Sequence, residues 1–156
     1  MIHMNIPGWG NIVLEHLVSD VNGTLVVDGV LDETVARAFI HLKDRLELHL
    51  VTGDMHGNID QIVQLLKVKS YCVPKGKEKE AKADYVRSLG SERVIAIGQG
   101  NNDAGMLKEA KIGICILSLE GLATDSFISA NVLANNVLAA FDLLENPNRL
   151  IGTLRC

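Results

Sequence analysis

The sequence predicts an α/β fold in which a mainly parallel sheet carries helices on both faces. Short apolar runs of strand length alternate with segments of helical periodicity from residue 17 onward, the chain order of βαβ units. The apolar residues are mostly aliphatic, 47% of the chain being hydrophobic and only 4% aromatic, which suits strands buried on both faces. Several apolar runs end in Asp, Thr, Gly or Asn, so polar turn residues collect at the carboxyl ends of strands, where open α/β sheets bind ligands.

A length of 156 residues predicts one domain, 1–156, with one sizeable core. The net charge of -4, with no basic stripe interleaved with aromatics, argues against nucleic acid as a partner. Cys72, Cys115 and Cys156 are widely spaced and odd in number, the pattern of a reducing cytosol rather than of a disulfide framework or a zinc site. No charged-then-apolar leader opens the chain, and no run reaches the ~18 apolar residues a spanning helix needs. The expectation is a soluble, cytoplasmic protein with no membrane partner.

Residues 1–16 form a predicted N-terminal hairpin, two loosely alternating arms around Pro7-Gly8-Trp9-Gly10, with Trp9 packing over it. His3 and His16 have no partner at metal-ligand spacing and are read as structural. The apolar run at 17–19 delivers Asp20 to a tight turn containing Asn22, Gly23 and Thr24. A carboxylate so placed can attack phosphorus, provided a cation neutralises the incoming charge and backbone N–H groups or hydroxyls hold the phosphoryl oxygens. Residues 24–31 then place two apolar arms around Asp28-Gly29, a strong hairpin signal.

Asp32 is a predicted N-cap for a helix whose apolar residues Val35, Ala38, Phe39 and Leu42 continue the period through Leu46. A strand from Leu48 ends at Thr52-Gly53-Asp54; a hydroxyl there donates to a phosphoryl oxygen without adding charge. His56 and Asn58 stand at the start of a helix carrying Ile59, Ile62, Val63 and Leu66. A short strand over 70–73 is followed by the loop Pro74-Lys75-Gly76-Lys77 and a helix over 78–89 that carries Lys79 and Lys82. A fourth run, 93–98, ends in Gln99-Gly100-Asn101-Asn102-Asp103. Strands over 112–116 and 130–133 follow, with a short helix from Glu120 between them. Helices over 137–144 and 147–154 close the chain, Pro147 standing where a helix starts.

Taken together these stretches resemble the motifs of the haloacid dehalogenase superfamily of phosphotransferases. Residues 20–25, Asp-Val-Asn-Gly-Thr-Leu, are similar to motif one, and closer to the Asp-x-x-Gly-Thr-Leu loop of P-type ATPases than to the Asp-x-Asp-x-Thr of phosphatases. Thr-Gly-Asp at 52–54 resembles motif two in its P-type ATPase form. Lys82, with Val86 and Leu89 following in register, resembles the motif-three lysine, and Lys79 is the other candidate. Gly98, Gly100, Asn102 and Asp103 match the Gly-Asp-Gly-x-Asn-Asp of motif four, with Gln99 in place of the usual aspartate.

The resemblance covers nearly the whole chain from Leu17. It implies a Rossmann-like three-layer α/β/α architecture without a cap domain, with the 24–31 hairpin as a flap, in the branch of soluble P-type ATPase-like proteins. It implies a magnesium-dependent phosphohydrolase or phosphotransferase acting through an aspartyl-phosphate on Asp20. Asp20, Asn22 and Lys82 would be catalytic; Gly23, Thr24, Thr52, Gly53, Lys82 and Asn102 would bind phosphate; Asp20, Asn22, Gln99 and Asp103 would hold the metal. Asn22 replaces the general acid, so turnover is expected to be slow. The alternative is a non-catalytic phosphate-binding or regulatory module, with Asn22 and Gln99 as its signature. The expected partners are a phosphorylated small molecule or phosphoprotein and, because a capless site is open, a second copy of the chain meeting the Asp28-Gly29 hairpin.

Overall fold

Alternation of side chains along the strands divides the core into two layers. In the computed structural model, which describes residues 1–54 and 58–156, the strand β3 (His16–Asp20) turns Leu17 to one layer and Val18 to the other. The same alternation runs through β6 (Glu47–Thr52), β8 (Val94–Gly98) and β9 (Ile112–Ile116). With β7 (Lys69–Cys72) and β10 (Val132–Ala134) these make a six-stranded sheet in the order β10-β9-β8-β3-β6-β7 with every pairing parallel. Period-2 burial on both faces is what the aliphatic composition requires of a parallel sheet.

One layer holds Val35 and Phe39 of α1 (Glu33–His41), Ile59, Ile62 and Leu66 of α2 (Asn58–Leu66), Phe141 and Leu144 of α6 (Val137–Glu145), and Leu150 of α7 (Pro147–Leu154). The opposite layer holds Val86 of α3 (Glu78–Leu89) and Met106 and Leu107 of α4 (Ala104–Glu109), with α5 (Thr124–Ser129) beside α4. The architecture is therefore the three-layer α/β/α sandwich the sequence predicts. The N-terminal hairpin of β1 (Ile2–Ile6) and β2 (Gly10–Leu14) adds Ile2, Ile6, Ile12 and Leu14 to the first layer, and Trp9 packs against it half-buried. All three cysteines are free thiols.

The chain leaves the central strand β3 for β6 and β7 on one side, then returns to lay β8 on the other side of β3. That reversal opens a crevice at the carboxyl ends of β3 and β8, where such sheets bind ligands. Among the described residues no inserted cap covers it. Between Thr24 and Thr52 lie the short hairpin of β4 (Val26–Val27) and β5 (Val30–Leu31) and α1; between Thr52 and Lys82 the described residues hold α2, β7 and the start of α3. Asp28 and Gly29 at the hairpin tip have φ of +52° and +76°, the left-handed pair a two-residue turn demands.

Some boundaries differ from the sequence expectation. The helix capped by Asp32 ends at His41; Leu42–Asp44 is a 3-10 turn and β6 already begins at Glu47. Leu42 and Leu46 are both buried, which kept the apolar period running, but the amides of Arg45 and Leu46 both return to the Leu42 carbonyl and tighten the chain. The helix expected from Glu120 starts at Thr124, because residues 118–121 form a turn: Ser118 accepts from the amides of Glu120 and Gly121, and Gly121 has φ of +90°. The sixth strand is Val132–Ala134 rather than 130–133, since the Ala130 amide still belongs to α5 through Ser126. His56 lies outside the described residues.

Candidate active site

The loop after β3 is wound so tightly that its own backbone groups consume one another. The amides of Thr24, Leu25 and Val26 all donate to the Val21 carbonyl at 3.2, 3.0 and 3.0 Å, and the Gly23 amide donates to Val26 at 2.6 Å. Gly23 sits at φ +81°, the left-handed region that favours glycine, and the ends of the Gln99 and Glu120 side chains lie where a Cβ would go. The winding holds Asp20, 5% exposed, at the floor of the crevice, where the Thr24 hydroxyl donates to its Oδ2 at 3.1 Å.

Lys82 comes from the buried face of α3, beside Ala83 and Val86. Its ammonium donates to Asp20 Oδ1 and to Asp103 Oδ1, each at 2.7 Å, and reaches the Asn102 side-chain Oδ1 at 3.4 Å. Lys79, one turn earlier, pairs with Asp125 at 3.3 Å instead. Asp103 is fully buried, and its Oδ2 accepts from the amides of Gln99 and Gly100 at 3.0 and 2.9 Å, fixing the loop after β8. Gly98 makes room for it: a Cβ there would fall 2.7 Å from the Asp103 side chain. The loop is held from the far side as well, the Ala123 amide donating to Gln99 at 2.9 Å and the Ser126 hydroxyl to Gly100.

Two buried carboxylates around one ammonium set the electrostatics. Burial, reinforced by the like charge of Asp103, raises Asp20 from 3.8 to about 7 against the pull of Lys82. For Lys82 burial acts downward, but the two carboxylates outweigh it and hold its pKa above the ordinary value, so the side chain stays charged. A cation at the crevice would act on Asp20 in the same downward direction as Lys82.

A cavity of about 820 Å³ opens above this floor, and Asp20, Asn22, Thr52, Gly53, Gln99 and Asn102 all line it. Lys75, Lys77 and Lys79 line it as well, interleaved with Glu78 and Glu80. The Thr52 hydroxyl is engaged with Asp54, donating to its carbonyl at 2.9 Å and accepting from its amide at 3.2 Å. The structure thus brings Asp20, Asn22, Lys82, Thr52, Gly53, Gln99, Asn102 and Asp103 around one crevice, while Gly23 and Thr24 shape the loop that bounds it. Glu120 at this loop escaped the sequence reading, because it lies in a turn of a different βα connection with no motif around it.

Comparison with known proteins shows what the chain is similar to. The family described as haloacid dehalogenase-like hydrolase matches residues 73–120. An uncharacterized protein of Methanocaldococcus jannaschii is 40% identical over 84 residues, 51% of this chain and 90% of that protein. Copper-transporting ATPase 1 of Rhizobium meliloti is 31% identical over 151 residues, 90% of this chain but only 17% of the ATPase. Among solved structures, 3-deoxy-D-manno-octulosonate 8-phosphate phosphatase of Moraxella catarrhalis, crystallised with magnesium and phosphate, superposes with a TM-score of 0.67 at 17% identity, covering 91% of this chain and 94% of that one. Among the described residues no helix is long and apolar enough to cross a membrane.

Proposed function

The chain belongs to the haloacid dehalogenase-like hydrolases, and from that premise we propose that it is a divalent-metal-dependent phosphohydrolase working through an aspartyl-phosphate on Asp20. The observation that carries the reading is the buried Lys82 ammonium held 2.7 Å from both Asp20 and Asp103 at the floor of an open crevice. A carboxylate oxygen of Asp20 attacks phosphorus in line and the bond to the leaving oxygen breaks; water then attacks the phosphorus and returns Asp20 as the carboxylate. Lys82, Thr52, Gly53 and Asn102 orient the phosphoryl oxygens, and Gly23 and Thr24 keep the nucleophile pointed into the crevice.

The donor set suits magnesium, a hard cation that takes oxygen ligands. Asp20, Asn22 and Gln99 face the cavity. Asp103 Oδ1 accepts from Lys82 alone among the described residues and so keeps a lone pair. When bound, the ion supplies neutralising charge to the phosphoryl oxygens. Two carboxylates against one ammonium leave the floor formally negative, which favours a cation there.

Asn22 lines the cavity where a general acid would stand and has no titratable proton at neutral pH, so the leaving oxygen departs unassisted. Slow turnover and a preference for good leaving groups follow. The substrate proposed is a phosphorylated small molecule or a phosphoprotein, whose phosphoryl group the Lys82 ammonium would meet at the floor. Turnover of p-nitrophenyl phosphate in magnesium, together with binding of beryllofluoride, tests the reading. Binding without turnover would instead favour the non-catalytic phosphate-binding alternative, for which the absence of carboxylates at Asn22 and Gln99 is the supporting observation.

A further inference from the structure

At the opposite end of the sheet, the amino ends of β3 and β6 bring three metal-ligating side chains together. The parallel register places His16 beside Glu47, and His49 follows two residues later on the same face of β6. His16 Nδ1 is 3.1 Å from His49 Nε2 and 3.2 Å from Glu47 Oε2, and the last two atoms are 4.0 Å apart. The three atoms are close enough to share one ion at the roughly 2.0–2.2 Å of zinc–nitrogen and zinc–oxygen bonds, with Glu47 Oε2 and His49 Nε2 drawing in from 4.0 Å to reach tetrahedral spacing.

The surroundings fit a ligand set. His49 is fully buried, and its other ring nitrogen, Nδ1, is 2.9 Å from the Tyr85 hydroxyl, which is itself held by stacking on Tyr71. Placing the His49 proton on Nδ1 gives it the Tyr85 hydroxyl as the outer partner that metal-bound imidazoles commonly have and leaves Nε2 with a lone pair facing His16 Nδ1. Between His16 Nδ1, His49 Nε2 and Glu47 Oε2 there is then at most one proton for three atoms that can accept. A cation satisfies all three. Lys69 is ion-paired with Glu47 through Oε1, which leaves Oε2 for the site. A cavity of about 600 Å³, lined by His16, Glu47 and Lys69 among others, gives solvent access for a water as fourth ligand.

We propose that His16, His49 and Glu47 form a second metal site, separate from the phosphate crevice, that takes a borderline divalent transition ion such as zinc and ties the amino ends of β3 and β6 together. Two imidazoles and one carboxylate select such an ion over magnesium or calcium, which prefer oxygen ligands alone.

Zinc titration of the metal-free full chain, with magnesium in excess to occupy oxygen sites and a chromophoric chelator as competitor, tests this. X-ray absorption of the loaded protein reads the ligands. The expected result is a single stoichiometric zinc with imidazole scattering, weakened at least ~tenfold by His16→Gln and by Glu47→Gln and unchanged by Asp20→Asn. Lys69→Gln is expected to tighten binding, since it removes a competing cation from Glu47; a cluster that merely shares hydrogen bonds predicts no such gain. If His16→Gln does not fold, Glu47→Gln, whose side chain is 41% exposed, decides. No stoichiometric zinc in the wild type, wild-type affinity in Glu47→Gln, or loss of binding in Asp20→Asn would overturn the proposal; the last would assign the zinc to the phosphate crevice.

Discussion

The Lys82 ammonium lies 2.7 Å from Oδ1 of Asp20, a contact between residues 62 positions apart that joins α3 to the carboxyl end of β3. Lys82 is 1% exposed and neutralises Asp103 as well, so its charge serves the fold and the proposed chemistry at once. Removing it leaves two carboxylates buried without a counter-charge.

Lys82→Met is therefore expected to destabilise the metal-free protein by about 3–5 kcal/mol, the usual range for breaking a buried pair from one side. Denaturant unfolding in chelator measures it. Adding magnesium should recover part of the loss, because a divalent cation supplies positive charge beside the same carboxylates, whereas phosphatase activity should stay lost. A change below ~1 kcal/mol would mean that the carboxylates simply protonate.

The raised Asp20 gives a pH signature. A carboxyl whose folded pKa is about 7 and unfolded pKa 3.8 binds more protons folded than unfolded between those values. Its contribution to stability is thus greatest at low pH and falls as pH rises through that window, levelling off on either side. His49, pushed down from 6.5 to about 4 chiefly by burial, slopes the opposite way between those values but is present in both proteins compared. Asp20→Asn should therefore gain stability relative to wild type between about pH 4 and pH 7 in chelator, and no more above. A difference flat in pH would contradict the shift.

Much of this arrangement is legible in the sequence because it depends on local patterns. Asp20, Thr52 and Gln99 each end an apolar run, and parallel strands bring such ends to one edge. Lys82 is in register with Val86, and that same helical period buries its side chain while Lys79 stays half-exposed beside Asp125. The His16–Glu47–His49 cluster was not legible. His16 carries no local signal, and its partners come from a strand 33 residues on, through a register only the folded sheet specifies. The early end of α1 escaped for a related reason: the 3-10 turn at Leu42 keeps Leu46 buried, so apolar spacing alone does not mark the break.

Gly23→Ala is expected to cost stability and activity together. At φ +81° an alanine is strained by roughly 1–2 kcal/mol, and its methyl would enter the space of Gln99 and Glu120. Thermal unfolding and p-nitrophenyl phosphate turnover check both effects. Gly10→Ala, also at a positive φ but with open space around the added carbon, should cost stability alone.

Asn22→Asp places a titratable carboxyl at the crevice. General acid assistance typically contributes ~10²–10⁴-fold, and alkoxide leaving groups need it most. The variant should speed hydrolysis of alkyl phosphates more than of p-nitrophenyl phosphate, read as the ratio of the two kcat/KM values. Equal effects on both, or a loss of activity, would assign Asn22 to holding the loop or the metal instead.

A covalent phosphate on Asp20 is detectable by acid-quenched peptide mass spectrometry after brief exposure to acetyl phosphate in magnesium. The expected result is a phosphate mass on the peptide containing Asp20, labile to hydroxylamine, absent from Asp20→Asn, and longer-lived than in Asn22→Asp, where water is activated for the second step. Turnover without any phosphorylated peptide, or the same mass appearing in Asp20→Asn, would contradict it.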